Sequence, residues 1–217
     1  MAYTNSSLVD YKKISPNSTN PRKKKITKIT IHHMAGNLTV EQCGDIFAPS
    51  SRQASSNYGI DSKGRVGLYV EEKNRAWTSS SPENDNMAVT IEVANDKIGG
   101  DWHVSDKALE KLIDLCVDIC KRNGIEKLNF TGDKKGNLTM HKYFAATGCP
   151  GPYLESKFPY IADEVNKRLI VNDKHEYAVS CAINIEDKTG LEKQTINWLW
   201  TYKYADDLFI KLWEAMK

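Results

Sequence analysis

The stretch AVTIEVAND, residues 88–96, constrains the fold most. It is a run of strand-forming residues in which polar and apolar positions alternate only weakly. Such a strand suits the middle of a sheet with both faces covered, because an edge or one-sided strand would show a clean alternation. A sheet buried on both faces needs helices over it, and the chain supplies candidates. SDKALEKLIDLCVDICKRNG, residues 105–124, predicts a helix: Ser105 caps it, Leu109, Leu112, Ile113, Cys116, Val117 and Cys120 form one stripe, and Gly124 stops it. TVEQCGDIF predicts a shorter helix with Thr39 as N-cap, and FPYIADEVNKRLI predicts a third.

Further strands surround the central one. KITKITI reads as a strand, and SSNYGIDSKGRVGLYV reads as a hairpin whose turn, DSKG, uses Gly64. Residues 1–25 read as an irregular lead-in, with the basic run RKKK at 22–25 as a solvated approach segment. Alternating strands and helices predict an α/β (α+β) domain that ends near residue 170. Beyond it, EYAVSCAINI reads as a strand, and the aromatic-rich tail from Gly190 reads as helical with one break. The chain's 217 residues suffice for one sizeable domain plus an appendage.

Several function classes are excluded by what the chain lacks. Its 30 basic and 28 acidic residues leave a net charge of +2, so no global field points to nucleic acid. No run of about 18 apolar residues occurs, so an ordinary transmembrane helix and membrane insertion are not expected. The N-terminus is polar from the start, and the expectation is a protein made in the cytoplasm without a signal peptide. Five cysteines, an odd number, fit free thiols better than a disulfide framework. Cys116 and Cys120 continue an apolar helical stripe, so they read as core residues and not as a metal clip.

Two segments carry the chemistry. ITIHHMAG, residues 29–36, ends a strand on a pair of imidazoles, which neither a strand interior nor an ordinary turn requires. HKYFAATGCPG places His141 and Cys149 in a passage stiffened by Gly and Pro. One imidazole on a strand end with a second imidazole and a thiolate on a constrained loop would make an open, catalytic type of zinc site. Each feature alone also fits a blander role, a hydrogen-bonded histidine or a packed cysteine. Glu92, inside VTIEV, is a carboxylate that is costly to bury unless it is paired with a cation or performs chemistry.

Taken in order, ITIHHMAG, SSNYGIDSKGRVGLY, AVTIEVAND and MHKYFAATGCPGPY resemble the zinc-dependent N-acetylmuramoyl-L-alanine amidases of the amidase-2 type. That family includes phage endolysins, bacterial autolysins and peptidoglycan recognition proteins, and the resemblance spans roughly residues 25–170. The nearest likeness is to endolysins from phages or prophages of Gram-positive bacteria.

The resemblance implies a central mixed β-sheet flanked by helices, with Zn²⁺ held by His32, His141 and Cys149. It also implies Glu92 as general base, and hydrolysis of the amide joining N-acetylmuramic acid to L-alanine. Period-two alternation puts His33 on the opposite strand face from His32, so His33 takes a structural role. Several relatives carry Lys two residues before the cysteine, where it stabilises the oxyanion. Thr147 stands there in this chain and is the candidate in that role. The tyrosine that some relatives place near the hairpin corresponds to Ser56, and Tyr58 is not read as catalytic. His103 reads as a surface-loop residue before the long helix, and neither it nor His175 matches a ligand position.

The expected organisation is a catalytic domain over residues 1–171 and a small element over 172–217. This element is expected to bind cell wall or to associate with a second copy, giving a homo-oligomer. The expected partner is peptidoglycan, reached after holin-type export or lysis. Two readings compete with catalysis: a peptidoglycan-binding module of the same fold that does not cleave, and a structural zinc protein, which would call for four protein ligands.

Overall fold

The computed structural model describes residues 3–216, apart from the side chain of Asn172. The chain divides into two compact units, Met1–Asn166 and Lys167–Lys217.

The first unit is built on a six-stranded sheet. Its strands are β1 (Tyr11–Lys12), β3 (Lys28–His33), β4 (Tyr58–Ile60), β5 (Val66–Leu68), β7 (Ala88–Val93) and β8 (Leu138–Met140). They lie in the order β1-β5-β4-β7-β3-β8. The hairpin pair β4–β5 is antiparallel and the other neighbours are parallel, so the sheet is mixed. The strand predicted as central, β7, lies between β3 and β4 as its composition requires. Two short strands, β2 (Ser18–Thr19) and β6 (Arg75–Ala76), pair separately. Helices α1 (Val40–Phe47), α2 (Pro82–Met87) and α3 (Asp106–Asn123) pack around the sheet, and α4 (Pro152–Thr189) begins in this unit.

The two faces of the sheet differ in chemistry. Ile29 and Ile31 of β3 and Val89, Ile91 and Val93 of β7 are fully buried and make an apolar face. The alternate positions are Thr30, Thr90 and Thr139, also fully buried. Their hydroxyls are satisfied: Thr30 Oγ1 lies 2.9 Å from Thr139 Oγ1 and accepts from Asn84 Nδ2 of α2 at 2.9 Å, and Thr90 Oγ1 lies 2.9 Å from Thr78 Oγ1. Buried hydroxyls are tolerated only with such partners. Both faces of the sheet are thus covered, one apolar and the other lined with hydroxyls, and the strand's polar and apolar positions alternate between them. The line Thr30–His32 on β3 and Thr90–Glu92 on β7 runs along this polar face to the strand ends.

Helix ends follow the local chemistry. Thr39 and Gln42 form a reciprocal capping box at α1, and Ser105 accepts from Ala108 N–H to start α3. Gly124 ends α3 in the left-handed conformation, φ 67°, where a Cβ would be strained. Cys116 and Cys120 are buried in the α3 stripe, as their spacing suggested.

The lead-in departs from expectation. It holds β1, which pairs in parallel with β5, and β2. Arg22 is not solvated: it is 5% exposed, and its guanidinium donates to the carbonyls of Glu72, Asn74, Asp85, Asn86 and Ala88. Burial pushes its pKa down to about 10, but the cation persists at neutral pH because its N–H groups meet fixed carbonyl oxygens. Lys23, Lys24 and Lys25 remain exposed.

The second unit contains the later turns of α4 with α5 (Lys193–Leu199) and α6 (Ala205–Met216). EYAVSCAINI is helical here, not a strand. Ala178, Cys181, Ala182 and Ile185 recur at helical spacing and are buried, and Cys181, Ala182 and Ile185 pack with Ile196, Ala205 and Phe209. That packing outweighs the β preference of Val, Ile and Tyr. The expected break in the tail falls between α5 and α6. Trp200 and Phe209 meet with ring centroids 4.3 Å apart, whereas Trp198 is 70% exposed. Among the described residues, no helix is long and apolar enough to cross a membrane.

Candidate metal centre

His32 is the penultimate residue of β3, and His141 directly follows β8. These two strands pair in parallel with Ile31 opposite Met140, so the next residue on each brings the imidazoles side by side, ring centroids 4.6 Å apart. Parallel pairing thus joins residues far apart in sequence. Cys149 arrives on the loop after His141, whose return is fixed by Lys142 N–H donating to Cys149 O at 3.2 Å. The Cys149 sulfur accepts from the His33 backbone N–H at 3.4 Å and lies 3.7 Å from His32 Nδ1. One ligand-capable atom from each of His32, His141 and Cys149 falls within 4.8 Å of the others.

These residues suit a cation. Burial, reinforced by the neighbouring histidines, holds the His32 pKa well below its ordinary value, and burial lowers that of His141 too. Both rings are therefore neutral at physiological pH, the state in which imidazole ligates metals. The buried Nε2 atoms of His32 and His141 have no hydrogen-bond partner among the described residues. Burial pushes the Cys149 thiol up, a cost that a coordinating cation reverses by taking the thiolate. Two orphaned imidazoles and one thiol form an N₂S donor set of the kind that holds zinc with a position left open. His103 is hydrogen-bonded to Asp96 at 2.6 Å and His175 to Asp206 at 2.8 Å, so neither joins the cluster.

Glu92 is the register partner of His32 on β7, with Oε1 4.0 Å from His32 Nδ1. It keeps 15% of its side-chain surface open to the cleft although protein atoms surround it densely. Burial raises its pKa to about 8, and the charge of Arg52 opposes that rise. No lysine pairs with it among the described residues.

His33 also borders the cleft, but its ring makes contacts of its own, apart from the three-residue cluster. Its ring meets Trp102 edge-on at 5.3 Å and packs against Gly151, where an added Cβ would come within 3.2 Å of the imidazole. Gly151 also has φ 85°, so close packing and backbone conformation both call for glycine. Thr147 lines the cleft, but its hydroxyl accepts from Cys149 N–H at 3.2 Å and so helps to shape the ligand loop. Tyr58 is fully buried: its hydroxyl donates to Glu72 at 2.7 Å and accepts from Ser6 N–H at 2.9 Å.

A cleft of about 450 Å³ opens over the cluster. Its walls include Leu38, Ile46, Arg52 and Trp77, none of which stood out in the sequence. Ile46 is 42% exposed, an apolar side chain left open beside the cleft.

Residues 22–152 match the family described as N-acetylmuramoyl-L-alanine amidase. This chain belongs to that family. No curated protein matches the amidase chain in sequence. Among solved structures, it resembles PlyL with a TM-score of 0.58 at 17% identity, over 72% of this chain and 96% of that one. A mutant endolysin from Bacillus subtilis gives 0.56 at 18%, over 72% and 99%. The N-acetylmuramoyl-L-alanine amidase LysC from Clostridium intestinale gives 0.53 at 18%, over 72% and 97%. At such identities the likeness speaks for the amidase fold: a central mixed sheet flanked by helices.

Proposed function

We propose that the protein is a zinc-dependent amidase that hydrolyses the bond between N-acetylmuramic acid and L-alanine in peptidoglycan. The observation that carries this reading is the convergence of His32, His141 and Cys149 at one end of the sheet, with Glu92 beside them in an open cleft. When bound, zinc would supply Lewis acidity, polarising a carbonyl and making water acidic enough to lose a proton near neutrality.

The chain's own residues do the rest. Glu92 takes the proton of the attacking water and hands it to the departing alanine nitrogen, one carboxylate serving as base and then as acid. The raised pKa of this buried carboxyl favours the first step, since it accepts a proton readily. His33 N–H steadies the Cys149 sulfur, and Thr147 fixes the backbone at that residue. In this reading Thr147 shapes the ligand loop.

The full set of three ligands plus Glu92 favours catalysis over a binding module that does not cleave. The endolysin and amidase named among the structural relatives support a lytic role on Gram-positive wall, exercised after the protein leaves the cytoplasm. The second unit, with Trp198, Tyr202 and Tyr204 exposed, is read as a wall-binding or self-association element. Product chemistry tests the activity. Digested wall should show new N-terminal alanine and no new reducing sugar ends; new reducing ends would mean glycan cleavage and overturn the reading.

A further inference from the structure

Among the described residues, Arg52 is the only cationic side chain lining the cleft, and Glu92 the only carboxylate. It closes the 3-10 turn Ser50–Arg52, and that turn is heavily secured. Gln53 follows in the left-handed conformation, φ 51°, unusual for a residue with a Cβ. Its side-chain amide donates to Ser50 O at 2.7 Å, and Asn17 Nδ2 donates to Pro49 O at 2.9 Å from the other side. All this fixes the backbone, yet the Arg52 guanidinium itself has no hydrogen bond or ion pair among the described residues. A chain with 28 acidic residues leaves it open and facing the cleft. Strained backbone held by its surroundings is a common mark of a functional position.

We infer that Arg52 is the anchor for a substrate carboxylate, namely the free α-carboxylate of the D-glutamate that follows L-alanine in the stem peptide. This deepens the amidase reading and rests on it. With the scissile amide at the metal cluster, the peptide runs into the cleft. Each extended residue covers about 3.3–3.6 Å, so the second residue's carboxylate is the first anion met beyond the reacting bond. Because that residue is linked through its γ-carboxyl, its α-carboxyl is free in some walls and amidated in others. Guanidinium matches a carboxylate with two parallel hydrogen bonds, a match that a carboxamide cannot make. Arg52 would therefore read whether the second residue is amidated.

The test compares two soluble probes, N-acetylmuramoyl-L-alanyl-D-glutamate and its D-isoglutamine counterpart, on the full zinc-loaded chain. The native enzyme should favour the carboxylate through a lower KM, and Arg52→Gln should erase that preference. The loss expected for one charge-assisted pair is about 10- to 100-fold. Arg52→Lys should recover only part of it, since lysine offers a point charge without the planar fork. Calorimetric binding of both probes to the Glu92→Gln variant, with and without Arg52→Gln, reads the same preference without turnover.

Equal affinity of the native cleft for both probes would overturn the inference, as would a preference that survives in Arg52→Gln. An equal loss on both probes, carried in kcat, would show that Arg52 acts only through Glu92. If neither probe is cleaved while the binding preference is present, the amidase reading fails and the anchor stands.

Discussion

His32 and Glu92 are register partners across the parallel strands β3 and β7, with 4.0 Å between Nδ1 and Oε1. That distance is too long for a hydrogen bond. The pair is therefore not a salt bridge closed on itself, and the carboxylate remains available to the cleft. One ladder of backbone hydrogen bonds sets both the sheet and the offset between the proposed metal ligand and the proposed proton acceptor.

Glu92→Gln tests the assignment of the base. The change keeps side-chain volume and removes the titratable group, so fold and zinc content should persist. Hydrolysis should fall by about 10²- to 10⁴-fold, the usual contribution of general acid–base catalysis. A variant within a few-fold of the native rate would show that another group moves the proton.

The same carboxyl predicts a pH effect on the metal-free protein. Its folded pKa, about 8, lies above the ordinary 4.5. Below the lower value both states are protonated and burial costs nothing extra. Between the two values the unfolded chain ionises while the folded chain stays protonated, so stability falls as pH rises. The metal-free Glu92→Gln variant lacks this loss. Thermal melts from pH 5 to about 8 should show the native chain's Tm dropping relative to the variant's. A constant difference across that range would place Glu92 in a more solvated setting than its burial implies.

The two adjacent histidines give a third test. His32→Ala removes a ligand and should release or weaken zinc, measured by elemental analysis after dialysis. His33→Ala should leave zinc bound, because that ring packs on Trp102 and Gly151, apart from the three-residue cluster. Zinc retained in the first variant and lost in the second would reverse the assignment.

The sequence was most informative where local rules dominate. The α3 stripe with its Ser105 cap and Gly124 stop, the hairpin around Gly64 and the central position of AVTIEV all follow from periodicity and end signals. The side-by-side placement of His32 and His141 does not, because it depends on β3 and β8 pairing in parallel over a long sequence separation; only the resemblance to a family pointed to it. EYAVSCAINI misled because Val, Ile and Tyr favour strands, while its helical spacing of Ala178, Cys181, Ala182 and Ile185 was the better guide. Arg22 sits in a basic run that reads as solvated, and nothing local announces the five carbonyls that draw its guanidinium inside. Arg52 and Trp77 are ordinary in sequence and acquire meaning only as walls of a cleft.

The two compact units predict the outcome of truncation. A chain ending at residue 171 keeps every residue of the metal cluster and its cleft, and should retain zinc and cleave a soluble muropeptide. Binding to intact cells, or the oligomer seen by light scattering, should be lost with Trp198, Tyr202 and Tyr204. A truncated chain that does not fold, by circular dichroism, would make residues 172–217 part of the catalytic fold.

Zinc removal and return tests the central claim most directly. Protein stripped by a chelator and shown by elemental analysis to be metal-free should release no N-terminal alanine from purified wall. Stoichiometric Zn²⁺ should restore that release, and should fail to restore it in Cys149→Ser or His141→Ala. Undiminished alanine release from verified metal-free protein would contradict the account.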